Sequence, residues 1–91
     1  MKYKRIVVKG IVQGVGFRAF IYRNALSLTS LKGYVRNLAD GSVEIVCTGA
    51  GGDIDRLLEA AKQGPYGSRV DSVEIAEIDL KEDFRDFSVR R

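Results

Sequence analysis

The chain has 91 residues, of which 30% are charged and 45% hydrophobic, with one cysteine, no histidine and a formal net charge of +3. That length supports one modest core and not two, no apolar run reaches the span of a membrane helix, and without histidine a Ser-His-Asp relay, a Cys-His pair and a His-ligated zinc are all excluded. Residues 1–39 carry eight basic and no acidic side chains, whereas residues 40–91 carry seven basic and twelve acidic, so the N-terminal part can attract anions or simply present solvated strand edges and helix faces.

In chain order, Ile6, Val8, Gly10 and Val12 alternate with Val7, Lys9 and Ile11, which predicts a strand over Lys4–Val12. The basic start of the chain runs straight into this stretch with no secretory pattern, so a cytoplasmic location is expected. Gly14 and Gly16 break the run. A helix is predicted over Phe17–Leu28, with Phe17, Phe20/Ile21, Ala25 and Leu28 as one apolar stripe. Leu31–Leu38 reads as a second strand, and Ala39-Asp40-Gly41-Ser42 as a turn. Asp-Gly between two apolar runs is a hairpin signal, which makes Val43–Thr48 the return strand. Cys47 lies in its apolar alternation and is expected as a buried thiol.

Asp53 is the predicted N-cap of a second helix, in which Ile54, Leu57, Leu58 and Ala61 recur at core spacing and which Gly64-Pro65 ends. After Tyr66-Gly67-Ser68, a fourth strand is predicted over Val70–Asp79. Lys81–Asp83 turns the chain, and Phe84–Val89 reads as a short last strand with Phe87 and Val89 on one side. This β-α-β-β-α-β order plus a terminal strand predicts an α+β ferredoxin-like sandwich. Two amphipathic helices would cover one face of a largely antiparallel sheet, in a single domain over 1–91.

Two stretches carry chemistry. In Gly10-Ile11-Val12-Gln13-Gly14-Val15-Gly16-Phe17-Arg18, a β-branched run gives way to two glycines and then to an arginine at a helix start. Glycines there free the backbone to aim successive N–H groups, from about Gln13 to Arg18, at a phosphate-sized anion. A plain strand-to-helix turn accounts for the same glycines, and the lysine and hydroxyl of the longer Walker loop are missing. Arg18 weighs toward the anion, because a helix N-terminus disfavours a cation that has nothing negative to hold; a surface salt bridge is its alternative. Gln13 can brace the loop, and Val12 and Val15 read as packing residues.

The second stretch is Gly33-Tyr34-Val35-Arg36-Asn37-Leu38-Ala39-Asp40-Gly41. At the strand end, the amide of Asn37 can accept a hydrogen bond from water and donate one to a phosphate oxygen, orienting a nucleophile without deprotonating it. It can equally serve the turn. Tyr34 and Arg36 either face solvent or line a pocket rim. Asp40 and Gly41 serve the hairpin, and Asp40 on a surface turn has no cause for the raised pKa of a general base.

With these residues in place, the chain resembles the acylphosphatase family over nearly its whole length. Gly10 to Arg18 looks like the family's first signature and Gly33 to Val43 like its second. Lys62-Gln63-Gly64-Pro65, Arg69-Val70-Asp71 and Phe87-Ser88-Val89-Arg90 also follow its pattern. The resemblance implies hydrolysis of small-molecule acyl phosphates to a carboxylate and inorganic phosphate, with no cofactor and no metal. It makes Arg18 the phosphate-binding arginine and Asn37 the residue that orients the attacking water. The phosphoryl group would dock in the nest of Gln13, Gly14, Val15, Gly16, Phe17 and Arg18.

Such a reaction suits a chain without histidine. A carboxylate leaves without an acid, a loose phosphoryl-transfer transition state asks little of a base, and a substrate phosphate oxygen can take the water proton. A monomer with no nucleic-acid or membrane partner is expected. The alternative is a non-catalytic ferredoxin-like module that binds a phosphate ligand, or one that binds RNA through aromatics on its open sheet face. Domains of this kind also begin larger carbamoyl-transferring proteins, but the zinc-finger cysteines of those proteins are missing here.

Overall fold

Period-two alternation sends Ile6 and Val8 to one side of the first strand and Tyr3, Arg5 and Val7 to the other, and each side acquires its own cover. The computed structural model describes residues 1–91. Its elements are β1 (Lys2–Ile11), α1 (Phe17–Leu26), β2 (Lys32–Asn37), β3 (Val43–Thr48), α2 (Gly51–Gln63), β4 (Arg69–Asp79) and β5 (Phe87–Val89). They form one five-stranded sheet in the order β4-β1-β3-β2-β5. All neighbours are antiparallel except β2 and β5, which run parallel. Both helices lie against one face, giving the ferredoxin-like α+β architecture that the element order predicts.

The helix-side core is a cluster of 15 buried residues, among them Ile6, Val8, Phe17, Ile21, Val35, Val43, Ile45, Leu57, Ala61 and Phe87, with Val70 and Val73 packed against it. Cys47 is fully buried here, and burial pushes its thiol pKa up to about 11, so it stays protonated at neutral pH.

Three predicted boundaries move for identifiable reasons. The first helix ends at Leu26, not Leu28, with Ser27 as its C-cap, and Leu28 reaches the core from a turn closed by its N–H on the Ala25 carbonyl at 3.0 Å. The second helix starts at Gly51 behind Ala50, so Asp53 is not its N-cap. The Asp53 carboxylate instead accepts from the Ser30 hydroxyl and N–H at 2.5 and 3.3 Å, tying the loop after α1 to α2. The last strand begins at Phe87 because Phe84 crosses to the face away from the helices. There it packs edge-on against Tyr3 and Tyr34, with ring centroids 5.5 and 5.6 Å apart.

That second face holds a small cluster of Tyr3, Tyr34 and Val46, flanked by Ile78, Leu80 and Phe84. Beside it lies Glu44, buried to 3% exposure. A carboxylate taken out of water needs several partners, and Glu44 has them: Arg5 Nε and Arg36 Nε each donate at 2.6 Å and the Tyr34 hydroxyl at 3.2 Å. Burial alone would raise its pKa, but the hydrogen bonds and charges of Arg36 and Arg5 outweigh it and hold Glu44 below the usual carboxylate value.

A carboxylate whose folded pKa is depressed stabilises the fold above its unfolded pKa, and that contribution drains away as pH falls through the folded value. Glu44→Gln is therefore expected to cost roughly 1.5–3 kcal/mol at neutral pH. It should also flatten the loss of stability that sets in as pH falls below the ordinary glutamate value toward the lower folded one. Urea denaturation across that range checks both; an unchanged acid limb would show that Glu44 is not the titrating group.

Candidate active site

The loop from β1 to α1 turns on two left-handed glycines, Gly14 at φ 75° and Gly16 at φ 76°. A Cβ at either would meet nothing within 4 Å, so the backbone angle and not lack of room calls for glycine. The turn leaves every backbone N–H from Gly14 to Ala19 without a protein acceptor, and the first turn of α1 has neither a side-chain cap nor an acidic residue. These unpaired donors lie at and before the positive end of the helix dipole, an arrangement that suits an anion.

Arg18 extends over the same space. Its Nη1 donates to the Arg90 carbonyl at 3.2 Å, and no ion pair of the protein includes it. The salt-bridge alternative for Arg18 has no partner here. A guanidinium has five N–H donors in a planar fork, and one bond to a carbonyl leaves the others free for phosphate oxygens.

Gln13 ties this loop to the second stretch. Its Nε2 donates to the carbonyls of Leu38 and Ser42 at 2.8 and 2.9 Å, across the β2–β3 hairpin. The hairpin is itself stiffened by Asp40, whose carboxylate accepts from the Ser42 hydroxyl and N–H at 2.5 and 3.0 Å. Those bonds hold the Asp40 pKa below its ordinary value, the wrong direction for a general base.

Asn37 closes β2 opposite Val43. Its Oδ1 is buried and accepts no hydrogen bond, the one such side-chain atom in the protein. An orphaned buried acceptor carries a desolvation cost of roughly 1–3 kcal/mol and calls for an explanation. Asn37 lines a cavity of about 360 Å³ together with Gln13, Gly14, Gly16, Phe17 and Arg18.

Of the predicted nest, Val15 does not line this cavity; its side chain packs against the core, and its N–H has no protein acceptor. Phe17 is likewise a core side chain with a free N–H. Tyr34 and Arg36 do not form the rim: alternation puts them on the face opposite Asn37, on Glu44. Val12, read from the sequence as a packing residue, also lines the wall, and Ala19, Tyr22, Val89 and Arg91 complete it without having been marked as site residues from the sequence. Tyr22 had a signal, being four residues after Arg18 and so on the same helix face; Val89 and Arg91 arrive only through the parallel pairing of β5 with β2. No cluster of three or more His, Cys, Asp or Glu side chains is placed to hold a metal, and no helix is long and apolar enough to cross a membrane.

An arginine, a loop with free N–H groups and an asparagine whose amide oxygen has no protein partner line one small cavity, a set that can hold a tetrahedral anion and aim a water at it. Comparison with known proteins identifies the family. The acylphosphatase family model matches residues 4–89. The acylphosphatase of Caldivirga maquilingensis is 56% identical over 87 residues, covering 94% of this chain and 90% of that one. The crystal structure of the Bacillus subtilis acylphosphatase superposes with a TM-score of 0.90 at 37% identity, covering all of both chains. The whole chain also matches 12% of the T. kodakarensis HypF crystal structure, with a TM-score of 0.86 and 41% identity. The chain thus belongs to the acylphosphatase family, as an enzyme that hydrolyses small-molecule acyl phosphates to a carboxylate and inorganic phosphate.

Proposed function

We propose that Arg18 and Asn37 carry this reaction and that the main chain of Gln13, Gly14, Val15, Gly16, Phe17 and Arg18 cradles the transferring phosphoryl group. The observation behind the assignment is the meeting, around one cavity, of free N–H groups, an arginine without a carboxylate partner and the orphaned Asn37 Oδ1. Arg18 spreads its remaining donors over the phosphoryl oxygens and offsets the charge there. Asn37 Oδ1 accepts one hydrogen of a water and turns that water's lone pair toward phosphorus. The new P–O bond forms as the acyl P–O bond breaks, the carboxylate leaves with the bonding pair, and a phosphoryl oxygen takes the water proton.

Residues 1–91 act as one domain in this reading, since a single core cluster draws on β1, α1, β2, β3, α2 and β5. The working unit in this reading is a monomer. A single buried thiol suits the reducing cytoplasm. Nucleic acid is not a partner in this reading: Tyr3 and Tyr34, the aromatics of the open sheet face, are 1% and 7% exposed and offer no stacking platform.

The test is hydrolysis of benzoyl phosphate by purified protein in the presence of a chelator, beside Arg18→Ala. Rapid turnover that survives the chelator and disappears in the variant supports the assignment. Chelator-sensitive turnover, or turnover that persists in folded Arg18→Ala, rejects it. A folded wild type without activity points to a ligand-sensing module, which titration with inorganic phosphate and then with RNA would characterise.

A further inference from the structure

We propose that Arg90 is a positioning residue for Arg18, acting through its main-chain carbonyl and anchored from the opposite face of the sheet. The proposal rests on the reading of Arg18 as the phosphate ligand.

The only hydrogen bond from the Arg18 side chain to the protein goes to the Arg90 carbonyl, at 3.2 Å. That carbonyl stands just past the end of β5, a three-residue edge strand. Short edge strands fray at their ends, so the carbonyl needs an anchor if it is to hold a guanidinium still. One anchor is main-chain: the Arg90 N–H donates to the Val35 carbonyl at 2.8 Å, carrying the pairing with β2 one residue further.

The other anchor is the Arg90 side chain. Val89 lines the cavity, and alternation turns the next residue to the far face. There the Arg90 guanidinium lies 4.1 Å from the centroid of the Tyr34 ring and 5.1 Å from that of Phe84, with Nη2 at 3.5 Å from the Glu82 carboxylate. Cations over aromatic faces are held by the ring quadrupole. The Tyr34 ring cannot give way easily: it is buried, packs edge-on against Phe84, and its hydroxyl donates to Glu44.

Tyr34 belongs to the second signature stretch yet lies on the face away from the cavity, where the reaction makes no use of it. Stacking under Arg90 gives it a part. The far-face cluster sets the end of β5, the end of β5 presents a carbonyl, and the carbonyl fixes Arg18. A long arginine side chain loses rotamer freedom when it grips a ligand, and ordering it beforehand strengthens binding without any new contact.

The experiment measures the affinity for inorganic phosphate by calorimetry, KM and kcat for benzoyl phosphate, and thermal unfolding, in Arg90→Ala, Arg90→Lys and Tyr34→Leu. Arg90→Ala is expected to weaken phosphate binding and raise KM by about five-fold, the factor that one cation–π contact represents. kcat should fall by less than that factor. Arg90→Lys, which keeps a cation over the rings, should recover most of the loss, and Tyr34→Leu should reproduce it. In an Arg18→Ala background, with binding followed by amide chemical shifts at high phosphate, Arg90→Ala should have no further effect.

Phosphate affinity unchanged in folded Arg90→Ala overturns the positioning role and leaves the role of Arg18 standing. A loss of equal size with and without Arg18 overturns it too, as a general structural effect. Absence of phosphate binding in the wild type overturns both.

Discussion

Arg18→Ala is expected to lower kcat/KM for benzoyl phosphate by about three orders of magnitude or more, the scale on which an arginine acts at a transferring phosphoryl group. The free N–H groups from Gly14 to Ala19 remain in the variant and still favour an anion, so some binding persists. What disappears is the mobile positive charge that follows the phosphoryl oxygens into the transition state. KM rises as well, because the same guanidinium grips the ground state. The fold should not suffer: Arg18 is half-buried and gives up one hydrogen bond to a carbonyl, that of Arg90. Arg18→Lys is expected to restore only part of the rate, since an ammonium is a point charge without the planar fork. Steady-state kinetics alongside thermal unfolding decide the matter, and folded Arg18→Ala with near wild-type turnover would remove Arg18 from the mechanism.

Asn37→Ala should behave differently in two respects. kcat is expected to fall about 10²–10³-fold, comparable to losing one preorganised hydrogen-bonding group, with KM close to wild type because the proposed role of Asn37 is to hold the water and not the phosphate. Stability should stay level or rise by about 1 kcal/mol, since the substitution deletes a buried acceptor that no protein donor satisfies. Activity lost at no cost in stability is the signature of a group kept for its chemistry. Asn37→Asp should be worse for binding, because it sets a carboxylate against the phosphate and adds a rise in KM to the loss of kcat. Kinetics with both variants and a urea denaturation of Asn37→Ala check this; an unaltered kcat in the folded alanine variant would sink the water-orienting role.

The differing expectations for these two residues follow from where the chain puts them. Arg18 stands at a helix start whose dipole and free N–H groups already favour negative charge, so in the proposed mechanism it shares the load of anion binding. Asn37 stands at a strand end, held near the loop by the Gln13 bridge to Leu38 and Ser42, where it lines the cavity and its oxygen has no protein partner. Gln13, expected to bind phosphate or brace the loop, spends its side-chain donors on bracing and has only its main chain left for the substrate.

Much of this was legible along the chain. Alternation over β1 and β3, the apolar stripe of α1, the Asp-Gly turn and the paired glycines before Arg18 are signals written within a few residues of one another, and each fixes a local conformation by sterics or by a period that matches one secondary structure. They suffice for the element order, for the ferredoxin-like fold and for marking Arg18 and Asn37 as the residues to watch. Period two could also have assigned Tyr34 and Arg36 to the face opposite Asn37.

The tertiary structure decided the contacts between residues far apart in sequence, because packing chooses those partners and no local rule encodes them. Glu44 draws Arg5, Arg36 and Tyr34 together because a buried carboxylate must be satisfied. Asp53 turns from helix cap to tether because Ser30 lies beside it. Parallel pairing lays β5 against β2, and with that the Arg90 carbonyl, 72 residues away in the chain, comes to rest on Arg18.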